Sequence, residues 1–128
     1  NGNSVGQKVV IRGRAKRGRR HNYNFACQND GEVADTIAIG RIGKRYNSRK
    51  WRARIFQLTG GRTNVTGAFQ SMRINEPLLP AEEILYQVKA ALKFNPTRRI
   101  QRTFRVRARS NLSPILCDEA ESTVKLRP

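Results

Sequence analysis

The stretch Pro80-Ala81-Glu82-Glu83-Ile84-Leu85-Tyr86-Gln87-Val88-Lys89-Ala90-Ala91-Leu92-Lys93 decides the fold that the sequence predicts. Ile84, Leu85, Val88, Ala91 and Leu92 follow the i, i+1, i+4, i+7, i+8 rhythm of one helical face. Pro80 suits a first helical position, and Glu82 and Glu83 sit where a helix dipole favours anions. Lys89 and Lys93 fall toward the end that favours cations, and Asn95-Pro96 stops the run. The pattern predicts a helix over 81–93.

The segments upstream read as strands. Val9, Val10 and Ile11 form a β-branched run, and Tyr23, Phe25 and Cys27 alternate with polar neighbours at period two. Asn29-Asp30-Gly31 is a turn, residues 36–42 are a third strand, and 51–58 a fourth in which Arg52 and Arg54 alternate with Ala53 and Ile55. Thr59-Gly60-Gly61-Arg62 turns the chain, and 64–69 is expected to return as a hairpin partner. In 97–109, Ile100 and Phe104 are spaced as in a helix while Phe104, Val106 and Ala108 alternate as in a strand, so periodicity leaves both open. Residues 1–7 are polar and glycine-rich. The stretch 111–128 carries the acidic cluster Asp118, Glu119 and Glu121 and reads as an extended tail. The expected fold class is α+β: a small antiparallel or mixed β-sheet packed by one main helix and a possible second short helix, with basic loops and a C-terminal extension. The expected organisation is one domain over 1–109 with an insertion at about 48–77, followed by an extension over 110–128.

Charge narrows the partner. The 128 residues carry 26 Lys+Arg against 9 Asp+Glu, a formal charge of +17, and 19 of the cations are arginine. Guanidinium matches phosphate bidentately and stacks on bases, so RNA or DNA ranks above a membrane surface. No apolar run approaches the roughly 20 residues that span a bilayer. Cys27 and Cys117 lie 90 positions apart and His21 is the sole histidine, which matches no zinc spacing and no disulfide framework. No metal, cofactor, catalytic residue or small-molecule substrate is expected. The candidate RNA-binding residues are Arg12, Arg14, Lys16, Arg17, Arg19 and Arg20, then Arg41, Lys44, Arg45, Arg49 and Lys50, then Arg52 and Arg54, and finally Arg98, Arg99 and Arg102. Tyr23, Tyr46 and Trp51 are candidates either for stacking on unpaired bases or for the core.

The order of several short motifs resembles the sixteenth protein of the bacterial small ribosomal subunit, a family also found in organelles. Ile11-Arg12, the basic pair Arg19-Arg20, the aromatic Tyr23 and the closing Asp30 look like its opening. Ile39-Gly40-Arg41-Ile42-Gly43 with Tyr46-Asn47, Glu82-Glu83-Ile84-Leu85-Tyr86-Gln87-Val88 and Pro96-Thr97 look like its later elements. Asn22 stands where that family usually has proline, and Gln87 replaces a tryptophan. The resemblance implies a structural protein of a mitochondrial small ribosomal subunit, with chloroplast or bacterial cytoplasm as lesser locations. Its partners would be small-subunit rRNA and neighbouring ribosomal proteins, and it would support subunit assembly.

Two other readings compete. Trp51-Arg52-Ala53-Arg54-Ile55, Gly67-Ala68-Phe69 and the helix after Ala81 resemble the three-strand-plus-helix DNA-binding domain of plant and apicomplexan transcription factors, here over about 43–93. That family reads duplex sequence, with Arg52 and Arg54 reaching base edges. A viral coat protein with a basic interior fits the same composition.

Overall fold

A computed structural model of the chain describes residues 8–112 and 117–128, with the side chains of 117 and 118 outside the description. The expectation for residues 1–7 lies outside the described residues. Nine strands and one short helix follow each other as β1 (Lys8–Arg14), β2 (Arg20–Gln28), β3 (Asp35–Arg41), β4 (Trp51–Gln57), β5 (Thr63–Asn64), α1 (Thr66–Gln70), β6 (Ile74–Leu78), β7 (Glu83–Leu92), β8 (Ile100–Ser110) and β9 (Cys117–Arg127). They form two sheets, β1-β9-β8-β3-β6 and β2-β7-β4-β5. Each sheet presents one apolar face to the other, which makes the molecule a β-sandwich.

The α+β expectation is overturned at its central element. Residues 83–92 are a strand, the centre of the four-stranded sheet, paired antiparallel with β2 and β4 on its two sides. Ile84, Val88 and Leu92 recur every four residues, a spacing that a helix stripe and one face of a strand share. Tyr86 and Ala90 break the tie: with those three they are buried in strict alternation, while Leu85, Gln87, Lys89 and Ala91 point outward. The cap-like residues serve a turn instead. Ala81 adopts φ 66°, and Glu82 accepts a hydrogen bond from the Leu79 N–H through Oε1 at 3.1 Å. Asn29 holds this turn, donating through Nδ2 to the Leu78 carbonyl at 3.0 Å.

The strands read upstream are present, and β8 resolves the open choice over 97–109 in favour of a strand. The segment expected to complete a hairpin after Arg62 pairs through Thr63 and Asn64, adds a hydrogen bond from the Val65 N–H to the Ile55 carbonyl at 2.9 Å, and then turns into α1, which buries Phe69. The expected C-terminal extension is an interior strand: β9 lies between β1, which runs parallel to it, and β8, which runs antiparallel. The 48–77 region supplies β4 and β5 to one sheet and β6 to the other.

Aromatic rings join the sheets. Phe104 from β8 meets Trp51 from β4 edge-on at 5.6 Å between centroids and Tyr46 at 5.0 Å, while within the four-stranded sheet Phe25 stacks on its register partner Tyr86 at 5.2 Å. Such pairs add about 0.5–1.5 kcal/mol each beyond the area they bury. Tyr46 also donates through its hydroxyl to the Arg105 carbonyl, which fixes the 42–50 loop against β8. Asn47 finishes the job by imitating a strand partner: its side chain accepts from the Ala53 N–H at 2.9 Å and donates to the Ala53 carbonyl at 3.0 Å.

Two predictions follow from this packing. Ala90→Asp places an unpaired carboxylate in the core and lowers stability by about 3 kcal/mol or more, whereas Leu85→Asn costs under about 1 kcal/mol. Urea denaturation of both variants checks the strand face, because a helix in this segment reverses the order. Second, burial, reinforced by Arg19, holds the His21 imidazole below its usual 6.5, and its Nε2 has no hydrogen-bond partner. A lowered imidazole pKa leaves the folded state neutral, so its contribution to stability is complete above pH 6.5 and lost as pH falls through the lowered value. Half-buried Glu76, whose pKa is raised mainly by desolvation, contributes with the opposite sign, so the test is the difference between wild type and His21→Phe. The wild-type urea midpoint should drop between pH 7 and pH 5 more than that of His21→Phe.

Candidate anion-binding face

Alternation on β2, β7 and β4 determines what faces solvent on the four-stranded sheet. The inward set includes Tyr23, Phe25, Ile55, Trp51 and Val88, so the outward set is what remains between them. Register lines these outward residues up in rows: Arg20, Ala91 and Arg52; then Asn22, Lys89 and Arg54; then Asn24, Gln87 and Phe56. Arg20 and Arg52 flank the small Ala91 side chain from two strands apart, roughly 10 Å at the backbone, and Arg52 and Arg54 are roughly 7 Å apart along β4.

The low floor at Ala91 between taller cations makes a shallow cavity of about 550 Å³. Arg17 and Gly18 close one end. Gly18 holds φ 81° and donates its N–H to the Leu92 carbonyl at 3.0 Å, while the Arg17 N–H donates to Asn95 Oδ1 at 2.8 Å. Arg62 closes another side, its guanidinium carbon 4.2 Å from the centroid of the Phe56 ring. Lys89 reaches toward the same ring at 5.5 Å, and Lys93 sits at the rim, donating through Nζ to the Ser48 carbonyl at 2.8 Å. Seven cations therefore line the cavity, and no carboxylate, imidazole, thiol or hydroxyl does. The closest carboxylate along β7 on this face is Glu83, six residues from Lys89, or roughly 20 Å. Partial desolvation, with the positive charges of Arg62 and Arg20, pushes the Lys89 ammonium below its ordinary pKa.

The opposite sheet carries its charge differently. Arg105 faces Glu121 and Arg107 faces Glu119 in register, at 3.5 and 3.4 Å. Glu119 and Glu121 are thus set against two of the arginines of β8. A second groove near the end of that sheet, lined by Arg12, Arg99, Lys125 and Arg127, also includes Gln101 and Ile100 and is less densely charged.

Of the sequence-derived candidates, Arg17, Arg20, Arg52 and Arg54 meet on the face. Arg12 and Arg99 belong to the second groove, and Arg14, Lys16, Arg19, Lys44, Arg45, Arg49, Lys50 and Arg98 are exposed elsewhere. Arg41 is structural: it donates through Nε to the Gln70 carbonyl at 2.8 Å and through Nη1 to the Gly43 carbonyl. Arg102 donates to the Arg45 carbonyl at 2.6 Å and lies over Phe104. Tyr23, Tyr46 and Trp51 are core residues, at most 7% exposed, so base stacking from these positions is ruled out by burial. Sequence reasoning passed over Arg62, Lys89, Lys93 and Phe56. The two lysines were assigned to a helix end, and period two in residues 84–92 was the signal that would have placed Lys89 beside Arg54. Among the described residues no group of three metal-ligating side chains occurs.

No protein-family model matches the sequence, and no curated protein matches it. Solved structures do match in fold. The secreted serine protease VesC of Vibrio cholerae aligns over 98% of this chain and 23% of its own, with TM-score 0.57 and 15% identity. The VesB protease of the same organism aligns over 100% and 32%, with TM-score 0.50 and 15% identity. A PapD-like domain of human CEP192 aligns over 98% and 83%, with TM-score 0.51 and 8% identity. The chain thus spans about a third or less of either protease. At these identities the likeness is one of fold, and that fold is a β-sandwich, not that of the ribosomal family.

The expectation of a small-subunit ribosomal protein is corrected accordingly, together with its partners, rRNA and ribosomal proteins. Its helix motif is β7, and its aromatic Tyr23 and Tyr46-Asn47 pair are packing and loop-bracing residues. The mitochondrial expectation rested on the same resemblance. The transcription-factor reading fails on the same segment, since the helix it requires after Ala81 is a central strand.

A face of unpaired like charges stresses the domain that carries it. Arg52→Gln/Arg54→Gln should raise the unfolding free energy read from urea denaturation at low salt by a few tenths of a kcal/mol, and the gain should vanish near 1 M salt, where the screening length is about 3 Å. A lower midpoint in the variant at low salt contradicts this account of the face.

Proposed function

We propose that this chain is a non-catalytic β-sandwich binding domain whose four-stranded sheet takes an anionic partner. One observation carries the reading: seven cations converge on a cavity with no carboxylate in its lining. Unpaired arginines on a rigid strand are preorganised donors, so an incoming anion gains charge-assisted hydrogen bonds without ordering a loop. It also relieves the repulsion from Arg62 and Arg20 that adds to the desolvation lowering the Lys89 pKa. The absence of an enzyme is part of the same proposal. Arginine, lysine, glycine and apolar groups offer neither a nucleophile with a base beside it nor an acid–base pair, the elements that a reaction needs.

The test compares the two sheets. Dextran sulfate binding, followed by isothermal titration, should weaken at least about tenfold in Arg52→Glu/Arg54→Glu, with a flatter dependence on salt. Arg105→Glu/Arg107→Glu carries the same change in charge on the other face and should cost less than about threefold. Equal losses in both variants would mean that net charge, rather than this face, does the binding.

A further inference from the structure

We infer that the ligand of this face is an acidic glycan, a chain of sugar rings bearing sulfate or carboxylate groups; the inference rests on the anion-binding reading above. What stands beside the charges is decisive. Asn22 lies beside Lys89, and Asn24 beside Gln87, so the amides continue the same face along β2 and β7 past the cavity that the cations line. None of these three amide side chains makes a hydrogen bond within the described protein, and the two asparagines are exposed. A primary amide both donates and accepts, which complements a hydroxyl, a group that also does both. A ligand rich in hydroxyls and anions uses the whole surface, whereas a bare polyanion leaves the amide rows idle.

Two other polymers fit less well. A single-stranded nucleic acid draws affinity from bases stacked on aromatic rings. The one ring on this face, Phe56, has Arg62 over it at 4.2 Å, and Tyr23, Tyr46 and Trp51 are buried. An acidic peptide draws specificity from pockets for its alternate side chains. Here the apolar surface of the cavity is the Ala91 methyl with parts of Leu92 and the covered Phe56. Size agrees with a sugar: the cavity of about 550 Å³ falls within the roughly 300–1,000 Å³ of small-molecule sites. A ring seated over Ala91 places its substituents between Arg20 and Arg52, with Lys89 and Arg54 one row away.

The experiment titrates the full chain with four probes of matched charge: a maltohexaose sulfated once on each ring, hexagalacturonate, hexaglutamate and a single-stranded RNA with the same number of phosphates. At least one glycan should bind about tenfold tighter than hexaglutamate and RNA, and the comparison of the sulfated glycan with galacturonate tells sulfate from carboxylate. Asn22→Ala/Asn24→Ala/Gln87→Ala leaves the charge intact and should lower glycan affinity about tenfold, at a modest contribution per hydrogen bond, without changing hexaglutamate affinity. Ala91→Leu, which fills the floor, should lower glycan affinity similarly. Thermal midpoints close to wild type establish that both variants are folded. If hexaglutamate or RNA binds as tightly as both glycans, or the amide variant binds the glycan like wild type, the glycan assignment is overturned while the anion-binding face stands. If no probe shows binding that depends on Arg52 and Arg54, both fall together.

Discussion

The alternation of side chains along β4 and β7 is the constraint on which the rest of the molecule depends. Burying Trp51, Ala53 and Ile55 against the opposite sheet leaves Arg52 and Arg54 no direction but outward, and burying Val88 and Ala90 does the same to Lys89 and Ala91. Core and cationic face are two sides of one pleat. A shift of register by one residue would put arginines into the core, so the apolar packing that holds the sandwich together also holds the charges in their rows.

That coupling explains how a chain of charge +17 keeps its cations close together. Repulsion among exposed guanidiniums at roughly 7–10 Å is moderate in water and falls with salt, whereas each buried aromatic or β-branched side chain contributes about 1.5–3 kcal/mol. Phe104, Trp51, Tyr46, Phe25 and Tyr86 supply this in a contiguous set. The two sheets then differ in their outer charge. On β8, Arg105 and Arg107 are met by Glu121 and Glu119 from β9, and on β2, β7 and β4 no acid is placed opposite Arg20, Arg52, Arg54 or Lys89. The placement of two carboxylates, as well as the total charge, distinguishes the two outer faces.

Much of the strand content was legible. Tyr23, Phe25 and Cys27 alternate cleanly, as do Trp51, Ala53 and Ile55, because each of those strands has one polar face and one buried face. The central strand was misread for a physical reason. It carries Leu85 and Ala91 on its outer face as well as five apolar residues on its inner one, and apolar residues on both sides blur period two into the rhythm of a helix. The proline and glutamates before it, which also suit a helix start, belong to a turn braced by Asn29, a residue 49 positions away from the Leu78 carbonyl it holds. The local signals were consistent with each other, and long-range pairing overrode them.

By itself the sequence determined that this chain is strongly cationic and arginine-rich and that several of its segments are strands. These follow from composition and from periodicity within single segments. Only the tertiary structure decided that residues 83–92 form the middle of a sheet, that β9 is interior, and which cations act together. Arg20, Arg52, Arg54, Arg62 and Lys89 are spread over seventy positions, and the rows they form exist only through the pairing of β2 and β4 with β7. Which cations remain unpaired was settled the same way, since the acids of the C-terminal stretch cancel the arginines they lie opposite, and what lies opposite is set by hydrogen-bonded register rather than by proximity along the chain.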